Sequence, residues 1–212
     1  MQTEGHSENE SVQNAVERGS CILLLAPSLH SGTEEACLDL LSFDQPHEQD
    51  VLWVGYTRSP DACVQDWLTH VGDRPRNMHF VSVGDTTRST SARGGNDPAT
   101  GSDDEVVETL ANPGDLTGLG ITLSEVLQRW GDDGNEVTAC FDSLTALLQY
   151  ADLQTAYKFL HVLTGRFEAA GVTAHFHLDP EACDQQTVST LTSLFDAVVE
   201  LDDDGGWTVR SR

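Results

Sequence analysis

The chain has 212 residues, with 11 Lys and Arg against 35 Asp and Glu and a formal net charge of −24; that is long enough for one domain with a sizeable core and short for two. A field this acidic repels phosphate backbones and anionic lipid, which excludes direct nucleic-acid binding and adhesion to a membrane surface. Disorder, the other common cause of high charge, does not fit, because the acids lie between strongly periodic apolar runs.

Residues 1–19 read as a polar N-terminal segment, and 20–212 as a single domain. Cys21-Ile-Leu-Leu-Leu-Ala26 is a continuous apolar run, the signature of a strand buried on both faces of a parallel sheet. A helix is predicted from Thr33 or Glu34 to Leu41, then a strand over Val51 to Tyr56. Ser59-Pro60-Asp61 offers a cap and an N-terminal proline for a helix carrying Val64, Trp67, Leu68 and Val71. Met78 to Val83 is a third strand.

From Thr87 to Glu105 there is no Ile, Leu, Val, Phe or Met. Such a segment cannot offset its ordering entropy by burial, so a mobile surface loop is predicted at 87–105, one that a partner could order. Val106 to Leu110 reads as a short strand or extended lead-in. Leu119 to Trp130 has helical periodicity, and Glu136 to Phe141 is a strand ending in Asp142. Asp152 caps the longest helix, with Leu153, Ala156, Tyr157, Leu160, Leu163 and Phe167 on one face and Gly171 as its stop. Val172 to Leu178 is a strand, Asp184 caps a further helix, and Ala197 to Leu201 with Trp207 to Arg210 closes the chain as an antiparallel pair. Repeated strand–helix alternation predicts an α/β three-layer domain with a mostly parallel sheet and a C-terminal antiparallel element.

Ligands of such sheets bind at the carboxyl ends of the strands. The loop Ala26-Pro-Ser-Leu-His-Ser-Gly-Thr33 is the informative one. Against the phosphate-loop pattern G-x-x-x-x-G-K-[ST], Ala26 and Ser31 stand for the glycines, Gly32 for the lysine, and only Thr33 matches. The loop therefore reads as an ordinary strand-to-helix turn capped by Ser31 or Thr33, or as a weak anion site using helix-start amides alone. The nearest substitute cation, His30, is a poor permanent charge at neutral pH. Asp142 reads either as a magnesium ligand or as a cap for amides near Thr145.

The five cysteines Cys21, Cys37, Cys63, Cys140 and Cys183 contain no C-x-x-C pair, and they read as reduced small hydrophobes of a cytoplasmic protein. His175, His177 and Asp179 share one face of a strand. Zinc asks for three or more ligands in tetrahedral array, and with Asp179-Pro180 more simply ending the strand, no metal is expected. The tryptophans Trp53, Trp67, Trp130 and Trp207 read as core. Lys158 is the only lysine, with arginine at every other basic position; an acidic, lysine-poor surface resembles proteins of salt-loving archaea.

Leu23-Leu-Leu-Ala-Pro-Ser28, Val51-Leu-Trp-Val-Gly-Tyr56, Asp115-Leu-Thr-Gly-Leu-Gly-Ile121, Cys140-Phe-Asp-Ser-Leu-Thr-Ala-Leu-Leu148 and Phe159-Leu-His-Val-Leu-Thr-Gly-Arg166 together resemble a family of small haloarchaeal proteins related to the RecA and KaiC ATPases. The resemblance runs from about Ser20 to Val209. It implies a RecA-like phosphate-loop NTPase core, with Ser31, Gly32, Thr33 and Asp142 as a vestigial nucleotide and magnesium site. The aspartate after its apolar strand matches, but Gly32 replaces the lysine, and Thr57-Arg58 stands where active relatives carry glutamates. A regulatory or scaffold protein without turnover is implied, binding ATP and Mg²⁺ weakly if at all, with no cofactor expected. A nucleotide switch and a DNA accessory factor acting through a partner are the alternatives. Because relatives assemble side by side, a homo-oligomer or pairing with an active relative follows.

Overall fold

In the computed structural model, which describes residues 12, 16–28, 32–42, 45–84, 105–131, 134–201 and 206–211, the apolar run becomes β1 (Cys21–Leu25), buried at every position. Its side chains alternate between two cores. Cys21, Leu23 and Leu25 face one cluster, while Ile22 and Leu24 face another. Helices α1 (Gly32–Leu41) and α2 (Pro60–His70) cover one side of the sheet. Helices α3 (Leu116–Trp130), α4 (Leu144–Leu147), α5 (Leu153–Ala169) and α6 (Gln185–Thr192) bring their apolar residues to the other. The result is the three-layer arrangement expected, with apolar side chains buried on both sheet faces.

The other strands are β2 (Gln49–Gly55), β3 (Asn77–Val83), β4 (Glu105–Leu110), β5 (Glu136–Asp142), β6 (Thr173–Leu178), β7 (Ala197–Leu201) and β8 (Trp207–Ser211). They form one eight-stranded sheet in the order β4-β3-β2-β5-β6-β1-β7-β8. Among the described residues every pairing is parallel except β7 with β8. The crossover from β1 to β2 thus skips both β6 and β5, unlike the doubly wound dinucleotide and flavodoxin-like orders, where early strands lie together.

Three predicted N-caps and one C-terminal stop hold in detail. Ser59 accepts from the Ala62 amide, Asp152 from Thr155 and Asp184 from Thr187, and Gly171 after α5 has φ of +69°, a conformation that favours glycine. Short 3₁₀ turns at Pro46–Glu48 and Pro180–Ala182 and the helix α4 were not anticipated by the periodicity. Within the N-terminal segment Val12 is buried and Val16 packs beside it, against the cluster of Ile22, Leu24 and Leu40. The loop predicted at 87–105 lies outside the described residues except for Glu105, which opens β4. Among the described residues no helix is long and apolar enough to cross a membrane.

Candidate functional site

The carboxyl ends of β1, β2, β5 and β6 surround a cavity of about 540 Å³, whose lining includes Ser28, Thr33, Cys37, Arg58, Asp142 and His177. Of the predicted site residues, Ser31 and the neighbouring His30 lie outside the described residues. Gly32 opens α1 and brings no cation. Thr33 and Asp142 both reach the cavity wall.

The rim is paired with itself. Thr33 donates its hydroxyl to the Pro27 carbonyl at 3.2 Å. Asp179 accepts from the Ser28 amide at 3.0 Å and from the Glu181 amide at 2.9 Å. Partial burial pushes the Asp179 carboxyl up, but bonds from the Ser28 amide and hydroxyl and from the Glu181 and Ala182 amides outweigh it and hold the group below its usual range. An internal carboxylate therefore occupies an amide of the very loop that would cradle phosphate. Arg58 is ion-paired to Asp66 and, at 3.5 Å, to Glu34. Glu34 and Glu35 also fill the first turn of α1, where the helix dipole favours their charge and leaves less field for an incoming anion.

Asp142 corrects one expectation. It does not cap the following turn; Ser143 does, accepting from the Ala146 amide at 3.2 Å. The Asp142 carboxylate instead accepts from the Thr57 hydroxyl at 3.0 Å, tying the end of β5 to the end of β2. Thr145 donates nothing to Asp142, and its hydroxyl accepts from the Asp179 amide at 2.9 Å.

The floor is different. Cys37 from α1, Cys140 from β5, and His175 and His177 from β6 converge so that one ligating atom of each lies within 4.8 Å of the others. Cys140 and His175 are register partners on adjacent parallel strands, and His177 follows two residues on, on the same face. The Cys37 and Cys140 sulfurs are 3.5 Å apart, and His175 Nε2 is 3.2 Å from the Cys37 sulfur. The hydrogen bond from Cys140 lowers the Cys37 thiol well below its ordinary value, with the two histidines adding to the effect, while burial pushes Cys140 up. Burial also holds His175 down; for His177 the Cys37 charge and hydrogen bond and the Asp142 charge overcome burial and raise it. By contrast, burial drives the thiols of Cys21 and Cys63 up to about 12.

His175 and His177 were singled out from the sequence as a pair, with Asp179 as the third candidate ligand. Asp179 is committed to backbone amides instead, and the partners are the two cysteines read as plain hydrophobes. Neither has a local signal, because Cys37 is 138 positions from His175 and 103 from Cys140.

Comparison with known proteins adds little chemistry. Residues 19–201 match the model of a family of unknown function, DUF7504, and the chain belongs to that family. No curated protein matches. Among solved structures, the chain is similar to a protein of Pyrococcus horikoshii OT3 determined as a structural study, with a TM-score of 0.56 at 11% identity, covering 94% of this chain and 90% of that one. At that identity the likeness bears on fold alone.

Proposed function

We propose that this member of an unassigned family is a RecA/KaiC-like protein that does not turn over ATP and acts through a protein partner. One observation carries the reading: the polar groups around the cavity mouth satisfy one another instead of awaiting a triphosphate. The Ser28 amide is held by Asp179, Arg58 by Asp66 and Glu34, and Asp142 by Thr57. A triphosphate would displace the Asp179 carboxylate and face Glu34, with Gly32 supplying no charge to offset the β and γ phosphates. Turnover also needs a group to orient the attacking water, and Thr57-Arg58 offers none that is uncommitted. The strand order supports a RecA-type core, since the loop-bearing strand β1 and the acid-ending strand β5 are separated by one strand, β6.

Recognition of a protein is supported by a second surface. Between α3 and α5 lies a groove of about 380 Å³ with apolar walls, where Ile121 and Val162 are each 55% exposed. Lys158, the only lysine of the chain, and Arg166 stand at this groove. An apolar partner segment bearing a carboxylate complements it, and the remaining acidic surface would repel mismatched acidic chains.

Titration with ATP and Mg²⁺ in molar KCl, which screens the acidic surface, tests the first half. No saturable binding up to millimolar nucleotide and no phosphate release are expected; submillimolar saturation would overturn it. Sedimentation of the protein alone and with co-purified material tests the second. A strict monomer that retains no partner would remove the recognition half of the proposal.

A further inference from the structure

Cys37 and Cys140 also pack in the apolar cluster of Trp53, Trp67 and Phe80, but apolar packing gives no reason for two imidazoles to converge on them. Cys37, Cys140 and His175 are each 1% exposed, and burying imidazoles and thiols is unfavourable unless their polar atoms find partners. Two do not: His175 Nδ1 and His177 Nε2 are buried without a hydrogen-bond partner. We propose that Cys37, Cys140, His175 and His177 form a Cys₂His₂ site for a soft, four-coordinate divalent ion of the zinc class, clamping α1 to β5 and β6.

The donor geometry fits such an ion. Two thiolates at about 2.3 Å from a tetrahedral zinc sit about 3.8 Å apart, and the Cys37 and Cys140 sulfurs are already 3.5 Å apart. That separation is far beyond a disulfide bond of about 2.05 Å. All four ligating atoms lie within 4.8 Å of one another before any ion is considered; tetrahedral ligand atoms sit about 3.4–3.8 Å apart, so the widest pair closes by at most about 1.4 Å while the two sulfurs separate by about 0.3 Å.

The donor type selects the ion. Sulfur and imidazole nitrogen suit zinc, whereas calcium and magnesium require oxygen ligands. The nearby oxygens are engaged elsewhere, Asp142 with Thr57 and Asp179 with Ser28 and Glu181. Charge selects it too. A divalent ion with two thiolates and two neutral imidazoles sums to zero, which suits an interior that would penalise a net charge. Binding releases the thiol protons of Cys37 and Cys140 to solvent. Entry is available, because Cys37, Cys140 and His177 line the cavity that opens at the strand ends. Four protein ligands leave no open position, so the site is structural: it would fix the helix that carries Thr33 against the sheet.

The test uses the full chain, stripped with chelator, kept reduced in molar KCl, and titrated separately with Zn²⁺ and Co²⁺. One equivalent of each should bind. The cobalt form should show thiolate-to-metal charge transfer and the intense visible bands of tetrahedral coordination, and zinc should raise the unfolding midpoint. Loss of a first ligand should cost more than the roughly 10–100-fold typical of an outer-shell change, so Cys140→Ser and His177→Asn should each weaken zinc by at least about 100-fold, while Cys183→Ser leaves it unchanged. His177 is the least enclosed ligand and its variant is the one expected to fold if Cys140→Ser does not. The wild-type cobalt spectrum needs no variant at all. Folded, reduced wild-type protein that binds no stoichiometric zinc, a weak octahedral cobalt spectrum, or full affinity in His177→Asn would each overturn the site. So would a Cys37–Cys140 disulfide that persists under reductant and excludes the ion.

Discussion

Strands β5 and β6 present two unlike interiors on their two faces. Toward α3–α6, Phe141 and Phe176 stack with ring centroids 5.5 Å apart, and Phe176 also meets Phe167 at 6.1 Å and Phe195 at 5.1 Å. Toward α1, the residues alternating with these phenylalanines are Cys140, His175 and His177, gathered on Cys37. Side-chain alternation along a strand puts one residue between a dry aromatic core and a polar cluster. The same two strands thus fill one interior with carbon alone, so the heteroatoms of the other are not imposed by the fold. On these two strands the aromatic face is held by apolar burial alone, and the polar cluster on the other face calls for a ligand.

Breaking the aromatic face should give the largest effect. Phe176→Ala removes the ring shared by three neighbours and is expected to cost about 3–5 kcal/mol, read by urea unfolding in molar KCl. The loss should be similar in metal-stripped and zinc-loaded protein. A loss that depends strongly on zinc would mean that the two faces are coupled and not independent.

This asymmetry also explains what the sequence made legible. The aromatic face follows from period and burial: Phe141 and Phe176 lie in apolar strands, and Leu160, Leu163 and Phe167 recur at helical spacing on α5, so fold class, strand order in the chain and caps could be read locally. Asp142 was placed at the right strand end, but the capping reading gave it the wrong bond. The strand extends through Asp142, whose side chain meets Thr57, and Ser143 next to it has the extended φ of −142° and ψ of 158° of a capping residue. Helix α4 spans Leu144–Leu147, too short for any periodicity to register. The polar cluster draws its ligands from three elements, and no local spacing rule joins Cys37 to Cys140 or His175. Only His175 and His177, two apart on one strand, left a mark, and Asp179 diverted it.

A smaller effect comes from a buried histidine on the aromatic side. His79 is 3% exposed, 3.2 Å from Glu108 of β4 and edge-on to Trp130 of α3 with centroids 6.1 Å apart. Burial lowers its pKa below 6.5, assisted by Arg129 and resisted by Glu108. Folding therefore favours the neutral ring. Its contribution is complete above an unfolded pKa of about 6.5 and is lost as pH falls from there through the lower folded value, by at most about 1.4 kcal/mol per pH unit. His79→Leu should flatten the wild-type stability profile below pH 6.5, about where an unperturbed histidine titrates, and leave it unchanged above. An identical slope in both proteins would assign the acid sensitivity elsewhere.

On the polar face, replacing His175 with Leu should separate ligand from packing. In stripped protein the variant removes an unpartnered Nδ1 along with the Nε2 contact to Cys37, and substitution of a poorly satisfied polar group by an apolar one is close to neutral, within about 1 kcal/mol. Zinc should then stabilise the wild type and not the variant. A large loss in stripped protein would make His175 a packing residue of the metal-free fold.

The smallest stability change is expected where the recognition proposal is most exposed. Lys158 lies on the surface of α5 beside Ile121 and Val162, and surface substitutions away from buried features stay within about 0.5 kcal/mol. Lys158→Glu should therefore leave the urea midpoint unmoved while reversing the charge that an acidic partner segment would meet. If the groove is the recognition surface, partner retention falls in this variant and is restored by the opposite charge change in the partner, an exchange that a general loss of folding cannot produce. Retention equal to wild type would detach the groove from recognition, leaving the self-paired cavity rim to account for the absence of turnover alone.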